Sequence, residues 1–233
     1  MSRSKALLIA SAARLLVAWI ALASVAGPAA AQAIHWSTRA PMPTPRVYFG
    51  TAVVGGRIYA IGGYSGSTLA TVEAYDPATD QWTSRASMPT PRAHFVVAAV
   101  GGKIYAIGGY QLGVFGTATT LYATEEYDPA TNTWTTKTEL PHDPPLGYRN
   151  SYIGGAAAGG KIYVTVFNVA TPGLTATYEY DPVADAWTTN KAPVPFPYTR
   201  YASTSLNGKV YVLDAGEAPY SGPFTTGDRK SVV

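Results

Sequence analysis

Cysteine is absent from this 233-residue chain, and histidine occurs three times. Without cysteine the protein has no disulfide, no thiol nucleophile and no thiolate ligand for a metal ion, so packing alone must stabilise it. His35, His94 and His142 lie far apart and form no H-x-x-x-H or H-x-E pattern. The sequence therefore predicts no metal site, and no cofactor is expected.

Charge is also sparse, since 13% of the residues are Asp, Glu, Lys or Arg. The small basic excess comes from Arg3, Lys5 and Arg14, all within the first 33 residues, and the rest of the chain is balanced. A balanced chain lacks the concentrated positive field on which nucleic-acid binding depends. We expect no nucleic-acid partner.

The N-terminus has the pattern of a secretory signal. A basic start is followed by a mostly apolar run from Ala6 and by the small-residue pair Ala31-x-Ala33. We predict cleavage after residue 33, a mature chain that begins at Ile34, and export to the periplasm or the extracellular space. The alternative is a membrane anchor, but Arg14 and Pro28 interrupt the apolar span that an anchor needs. No membrane insertion is expected after cleavage.

The rest of the chain is organised by a repeat. Gly55–Gly63 recurs almost unchanged as Gly101–Gly109, 46 residues later. Internal repeats with periods of about 20 to 50 residues are typical of solenoids and propellers. Each of the last three members of a tryptophan series follows a Tyr-Asp-Pro sequence; the series is Trp36, Trp82, Trp134 and Trp187. Asp-Pro predicts a tight turn, so each tyrosine ends one strand and each of those three tryptophans lies in the next.

One repeat is therefore predicted to hold four short strands. The predicted strands are 48–54, 57–62, 71–75 and 81–85 in the first unit; 94–100, 103–108, 121–127 and 133–137 in the second; 151–157, 161–167, 176–180 and 186–190 in the third; and 202–206 and 209–213 in the fourth. First strands carry small and β-branched residues, whereas fourth strands carry tryptophan. This taper suits sheets arranged radially around an axis, where the innermost strands are crowded.

The recurring set of Arg, Gly-Gly, Ile-Tyr, Gly-Gly, Tyr-Asp-Pro, Trp and Met-Pro resembles the kelch repeat of β-propellers, a family related to the galactose-oxidase-type propeller. The resemblance implies an all-β fold with one four-stranded blade per repeat, in rings that commonly hold about six or seven blades. We expect three complete blades and a partial fourth within 34–227, as a fragment of such a ring. Val166-Phe167 and Asp214-Ala215 replace the second Gly-Gly in the third and fourth units.

Both ends of this repeat region carry further expectations. Residues 34–39, with Trp36, are predicted to be a lone fourth strand that precedes the first complete blade. The last six residues, 228–233, match the translation of a common sequencing adapter, which favours a non-native tail. The alternative is that 230–233 begins the third strand of the fourth blade.

The candidate binding site lies on the face that displays the loops before each first strand and after each second strand, because loops carry function in such folds. Four arginines precede first strands, one per unit: Arg46, Arg92, Arg149 and Arg200. In kelch domains that bind acidic ligands, arginines at such positions often make the contact, so the resemblance implies ligand binding here. The alternative is that each arginine ties loop carbonyls together between blades.

Aromatic residues share that face and suit stacking on sugars or peptide side chains, or packing within the loops. The candidate ligand-binding aromatics are Tyr64, Tyr110, Tyr148 and Tyr198. Adjacent acids such as Glu125 and Glu126 point to opposite faces of a strand and do not form an acid–base pair. Asp143 and Glu217 are the acids in these loops, and neither lies in a recognisable catalytic motif.

Two functions remain open from the sequence. The first is an exported interaction module that binds a carbohydrate or a protein or peptide. The second is a sugar-acting enzyme similar to the periplasmic sialic-acid mutarotases, with catalysis by proton transfer. The copper–radical chemistry of galactose oxidase needs a Tyr–Cys link, which a chain without cysteine does not have. The apolar faces at the two ends of a partial ring also predict self-association.

Overall fold

The computed structural model describes residues 36–112, 117–142, 151–168, 175–194, 201–214 and 230–232. The chain divides into two units, Met1–Arg39 and Ala40–Val233. The predicted signal segment lies outside the described residues. Within the described ranges, no helix is long and apolar enough to span a membrane.

The first unit is described only over 36–39, where no residue lies in a strand. The prediction of a strand at 34–39 is therefore wrong for this part, and residues 34 and 35 lie outside the described range. A strand needs a neighbour that accepts and donates its backbone hydrogen bonds, and none is paired with 36–39 among the described residues. The Trp36 side chain is 95% exposed.

The second unit is built from short antiparallel strands, as predicted. Strand bounds agree with the predicted ones to within three residues at almost every end. The strands are β1 Gly50–Val54, β2 Arg57–Ile61, β3 Val72–Asp76, β4 Gln81–Arg85, β5 Val96–Val100, β6 Lys103–Ile107, β7 Tyr110–Leu112, β8 Ala118–Thr120, β9 Thr124–Asp128, β10 Thr133–Lys137, β11 Ser151–Ala158, β12 Lys161–Asn168, β13 Thr175–Asp181, β14 Ala186–Lys191, β15 Tyr201–Leu206, β16 Lys209–Asp214 and β17 Lys230–Val232.

All of these strands except β7 and β8 form three four-stranded sheets and one three-stranded sheet. Blade 1 is β1-β2-β3-β4, blade 2 is β5-β6-β9-β10, blade 3 is β11-β12-β13-β14 and blade 4 is β15-β16-β17. First strands lie against one another, β1 against β5, β5 against β11 and β11 against β15. This arrangement confirms the all-β propeller-type fold with three complete blades and a partial fourth.

The strands β7 and β8 were not predicted. β7 and β8 pair as a small ribbon inside the loop that follows β6, a loop longer in blade 2 than in blade 1. β17 pairs with β16 as a third strand, with Leu213 opposite Lys230. That pairing is the alternative considered for the C-terminal residues, whereas a non-native origin for them stays a prediction.

The turn and tryptophan pattern produces a clamp between successive blades. Trp134 Nε1 donates to the carbonyl oxygen of Ala86 at 2.9 Å, and the Ala86 amide donates to Asn132 Oδ1 at 2.9 Å. Ala86 follows β4, so the outer strand of blade 2 is fastened to the end of blade 1. Trp187 and Asp185 hold Thr138 in the same way between blades 2 and 3. Trp82 and Asp80 hold Ala40.

Apolar clusters fill the spaces between neighbouring blades. One cluster joins Tyr59 and Ile61 of blade 1 to Ile104 and Tyr127 of blade 2. A second joins blade 2 to blade 3, and a third joins blade 3 to Val210 and Val212 of blade 4. Each blade is thus stabilised chiefly by burial against its neighbours, which replaces the disulfides that the chain lacks.

Candidate functional site

Arg46, which precedes β1, has a fully buried side chain. Its Nη1 donates to the carbonyl oxygens of Gly62 and Thr71, both at 2.9 Å. Its Nη2 donates to Glu73 Oε2 at 2.6 Å, and Thr44 Oγ1 donates to the other carboxylate oxygen at 2.7 Å. The guanidinium therefore joins the end of β2 to the start of β3 within one blade.

Arg92 repeats this arrangement before β5. Its Nη1 donates to the carbonyl oxygens of Gly108 at 3.1 Å and Ala123 at 2.7 Å. Its Nη2 lies 2.8 Å from Glu125 Oε2, and Thr90 Oγ1 donates to Oε1 at 2.6 Å. Both arginines thus tie loop carbonyls together, as the alternative role expected, but within one blade and not between blades. Their ligand-binding role stays a prediction.

Burial governs the electrostatics of these two arginines. Desolvation lowers the pKa of Arg92 below its usual value, and the charge of Glu125 and its hydrogen bond to Arg92 oppose that shift. Desolvation lowers the pKa of Arg46 in the same way, opposed by Glu73. Both side chains stay charged at neutral pH because the ordinary pKa of arginine is so high. Each ion pair is buried, so neither carboxylate can be removed without leaving an unpaired charge.

Blade 3 lacks the corresponding carboxylate. Glu73 lies opposite Ala60 on β2, Glu125 opposite Ala106 on β6, and Tyr178 opposite Val164 at the same register on β12. A buried tyrosine therefore occupies the position of the two glutamates. Arg149 and Arg200 lie outside the described residues, as do Tyr148, Tyr198, Asp143 and Glu217.

The two predicted tyrosines that are described occupy equivalent places after β2 and β6. Tyr64 forms an isolated bridge to Val47, and Tyr110 forms one to Ala93. Both side chains are half-buried. Tyr110 also begins the ribbon strand β7. These bridges fasten the loop after each second strand to the segment that carries Arg46 or Arg92.

Three rings from this region form a column across blades 1 and 2. Tyr48 stacks on His94 with ring centroids 3.8 Å apart and 29° between the planes. His94 stacks on Tyr110 at 5.0 Å and 23°. His94 is half-buried between the two tyrosines, whereas Tyr48 is 57% exposed. The column brings together one predicted residue, Tyr110, and two that were not predicted as site residues.

Tyr48 and His94 have left-handed backbone conformations, with φ of 57° and 50°. The other non-glycine residues with positive φ in the described ranges are all Asp or Asn, at positions within short turns. Left-handed φ in an aromatic residue is strained, at a cost of about 1 to 3 kcal/mol, and such strain concentrates at functional sites. The predicted first strands began at these two residues, and that part of the prediction is wrong because a left-handed residue cannot continue a strand.

His94 is neutral at pH 7. Burial lowers its pKa below the usual value. Neither ring nitrogen hydrogen-bonds to a residue in the described part of the chain. The imidazole is therefore a neutral group with donor and acceptor capacity.

Glu125 and Glu126, which were not expected to form an acid–base pair, have separate partners in the structure. Glu125 pairs with Arg92, whereas Glu126 accepts from Lys103 Nζ at 2.6 Å and from the Tyr105 hydroxyl at 2.8 Å. Burial would raise the pKa of Glu126, but these hydrogen bonds and the charge of Lys137 outweigh it and lower the pKa. Within the described ranges, no three His, Asp or Glu side chains cluster as metal ligands.

One signal could have identified the column from the sequence. Tyr48 and His94 each stand two residues after a repeated arginine, and they are 46 residues apart, the same interval as the repeat. Aromatic residues at one repeat position indicate neighbouring side chains in a radial fold. Their left-handed backbone and the stacking distance, however, depend on the packed blades.

The Kelch motif matches residues 45–89 and 91–141, which correspond to blades 1 and 2 with their preceding segments. A search of curated proteins finds no match. A solved structure of YjhT matches with a TM-score of 0.61 and 21% sequence identity. That match covers 76% of this chain and 62% of YjhT, so the chain spans less than two thirds of that protein. At this identity the likeness concerns the fold alone. Two motif matches in successive blades and the propeller-type sheets together support a kelch-repeat β-propeller fold for this chain.

Proposed function

We propose that the protein is an exported binding module that recognises a carbohydrate or a peptide on the face that carries the Tyr48–His94–Tyr110 column. The observation that carries the proposal is the exposed ring of Tyr48, held on a strained backbone at the junction of two blades. Strand positions in a kelch fold serve as scaffold, and ligand contacts come from loops. An exposed aromatic ring on a rigid support suits either kind of ligand.

The experiment is a binding screen with the purified chain on a glycan array and on a peptide array. We expect at least one class of ligand to bind, and binding to fall when Tyr48 and Tyr110 are both replaced by alanine. Binding that is unaffected by the double replacement would place the site elsewhere. Failure to bind on either array would contradict the module function.

We further propose that Arg149 makes the contact with an acidic group of the ligand. Arg46 and Arg92 are each neutralised inside their own blade, but Tyr178 replaces the glutamate on β13. Arg149→Gln should weaken binding of an acidic ligand while a neutral ligand is unaffected. Equal loss for both ligands would indicate a structural role.

The proposal that the protein is exported rests on the signal pattern of residues 1–33. N-terminal sequencing of protein collected outside the cytoplasm should begin at or close to Ile34. Material that begins before residue 29 would contradict the predicted cleavage site.

A second candidate is a sugar-acting enzyme similar to the sialic-acid mutarotases, and the protonation state and burial of His94 favour this candidate. A neutral, half-buried imidazole can accept and return the proton that ring opening of a sugar requires. If this holds, the chain should accelerate the interconversion of the anomers of N-acetylneuraminate in an NMR time course, and His94→Ala should abolish the acceleration. A rate equal to that of buffer would exclude this activity.

The basis for proposing self-association is the face of blade 1 that points away from blade 2. This surface, here called the outward face, is formed by Val47, Phe49, Val53 and Ile58. All four are exposed. Their counterparts in blade 2 include Ala93 and Ile104, both at 0% exposure. Because the same surface is covered in one blade and open in the other, we propose that a second copy of the chain covers it.

A further inference from the structure

The backbone at Tyr48 is better suited to another residue. With φ of 57°, glycine or asparagine would adopt this conformation at less cost than tyrosine. Of the five other non-glycine residues with such φ in the described ranges, four are Asp or Asn, as this reasoning expects, and the fifth is His94, the stacking partner of Tyr48. The tyrosine ring must therefore contribute something that offsets the strain.

Core packing does not supply that contribution. The Tyr48 side chain is 57% exposed, and it belongs to none of the apolar clusters between the blades. One of its faces lies on His94, with ring centroids 3.8 Å apart, and more than half of the residue's surface remains exposed. The Tyr48 hydroxyl makes no hydrogen bond to a residue in the described ranges. The ring thus offers solvent a flat apolar face with a polar group at its edge.

We propose that the exposed ring of Tyr48 is a stacking platform for the pyranose ring of a neutral carbohydrate. The inference rests on the proposed binding function and names the ligand class and the residue that holds it. A pyranose with equatorial hydroxyls presents axial C–H groups on each face, which pack on the negative face of an aromatic ring, while its rim of hydroxyls suits the free phenol group.

The support behind the ring agrees with this role. His94 lies between Tyr48 and Tyr110, so the ring of Tyr48 is backed by two further rings and cannot turn away without losing the stack. The neighbour His94 is neutral at pH 7 because burial lowers its pKa. An uncharged stack suits an uncharged ligand, and a ring that is already fixed loses little side-chain entropy on binding.

The experiment uses the full chain and methyl β-D-glucopyranoside, whose ring hydroxyls are all equatorial. Saturation-transfer NMR should show contact with the axial ring protons, and a titration should give the apparent Kd. Tyr48→Gly should raise that Kd at least about tenfold, whereas Tyr48→Trp should keep or strengthen binding because it keeps the stacking face. Glycine suits the left-handed backbone, so Tyr48→Gly should fold with an unfolding midpoint close to that of the wild type.

The matched control is Tyr122→Ala. Tyr122 also lies against a histidine, His142, with ring centroids 3.8 Å apart and the planes tilted by 35°, but its backbone is not left-handed. Binding of the glucoside should be unchanged in this variant. N-acetyl-phenylalaninamide serves as the competing ligand class, and it should show no Tyr48-dependent binding.

The outcomes separate the platform from the binding function. Glucoside binding that survives Tyr48→Gly overturns the platform but leaves the module function intact. Tyr48-dependent binding of N-acetyl-phenylalaninamide alone overturns the assignment to a carbohydrate. A Tyr48→Gly chain that unfolds at a much lower denaturant concentration shows that the ring is structural, and this too overturns the platform. Absence of saturation transfer from both probes in the wild type overturns it as well, and the array screen then decides the module function independently.

Discussion

Blades 1 and 2 are nearly identical in sequence over their second strands, yet Ile58 is 38% exposed and its counterpart Ile104 is fully buried. Their internal contacts match, since each blade holds one buried arginine between two carbonyls and a glutamate. The difference is that blade 2 has a neighbour on both sides. Contacts within a kelch blade therefore follow from the repeat, whereas burial is decided by what packs against the blade.

The largest expected effect comes from breaking the buried ion pair of blade 2. Glu125→Ala leaves Arg92 charged and unpaired in the interior, and we expect it to lower the free energy of unfolding by about 3 to 5 kcal/mol. Glu73→Ala should cost less, because Val47, next to Arg46 on the outward face of blade 1, is 51% exposed, so water can reach the unpaired charge more easily. Urea unfolding of both variants measures the difference.

The control for this pair is Glu139→Ala. Glu139 pairs with His142 on the surface, with its side chain 61% exposed, so removal should change the unfolding free energy by less than about 0.5 kcal/mol. Equal losses for Glu125→Ala and Glu73→Ala would contradict the view that the neighbouring blade sets the cost.

The next prediction compares the loss of unfolding free energy when Ile104 and Ile58 are each replaced by alanine. Ile104→Ala removes a fully buried side chain between blades 1 and 2, and we expect a loss of about 2 to 4 kcal/mol. Ile58→Ala should cost under about 1 kcal/mol, because much of that side chain is already in water. The measurement is the midpoint and slope of urea unfolding. Similar losses at both positions would mean that the outward face of blade 1 is covered in solution.

A smaller effect concerns Glu126, which blade 1 replaces with Ala74. Although burial acts to raise the pKa of Glu126, its bonds to Lys103 and Tyr105 lower the folded-state value. A lowered carboxyl pKa contributes stability that is present above the unfolded-state value and is lost as the pH falls through the folded-state value. Glu126→Gln should therefore cost about 1 to 2 kcal/mol at pH 7 and progressively less in acid.

Urea unfolding of wild type and Glu126→Gln between pH 7 and pH 3 tests this. The gap between the two free energies should narrow as the pH drops below the usual pKa of a glutamate. A gap that stays constant over this range would show that packing, and not ionisation, is responsible. Blade 1 offers no such site, so substitution of Ala74 by Gly should leave the pH dependence unchanged.

The smallest effect on stability is expected on the outward face of blade 1. Val53→Lys changes an exposed residue, so the unfolding free energy should shift by no more than about 0.5 kcal/mol. The same change should abolish self-association, because a charge on the apolar face opposes its burial. Light scattering at micromolar concentration measures the mass of wild type and variant, with Val183→Lys as the control on a fully exposed turn. A monomeric wild type would contradict the proposed self-association.

Most of the fold was predictable because its signals are local. Turn chemistry at Tyr-Asp-Pro, the Gly-Gly pairs and the alternation within short strands depend on neighbouring residues, and they located β4 and β10 to the residue. The candidate site was less predictable. The arginines were recognised by position, but whether a guanidinium faces a ligand or a buried carboxylate depends on Glu73 and Glu125, 27 and 33 residues further along the chain.

The sequence by itself determined the repeat and the strand order within each blade, since a strand, a turn and the next strand are specified over a few residues. Only the tertiary structure decided that Tyr48 and His94 leave the strand and stack, because their rings meet across two blades and the packed backbone holds both residues in a left-handed conformation. It also decided which apolar residues are buried, because Ile58 and Ile104 have the same local sequence and differ only in the blades around them.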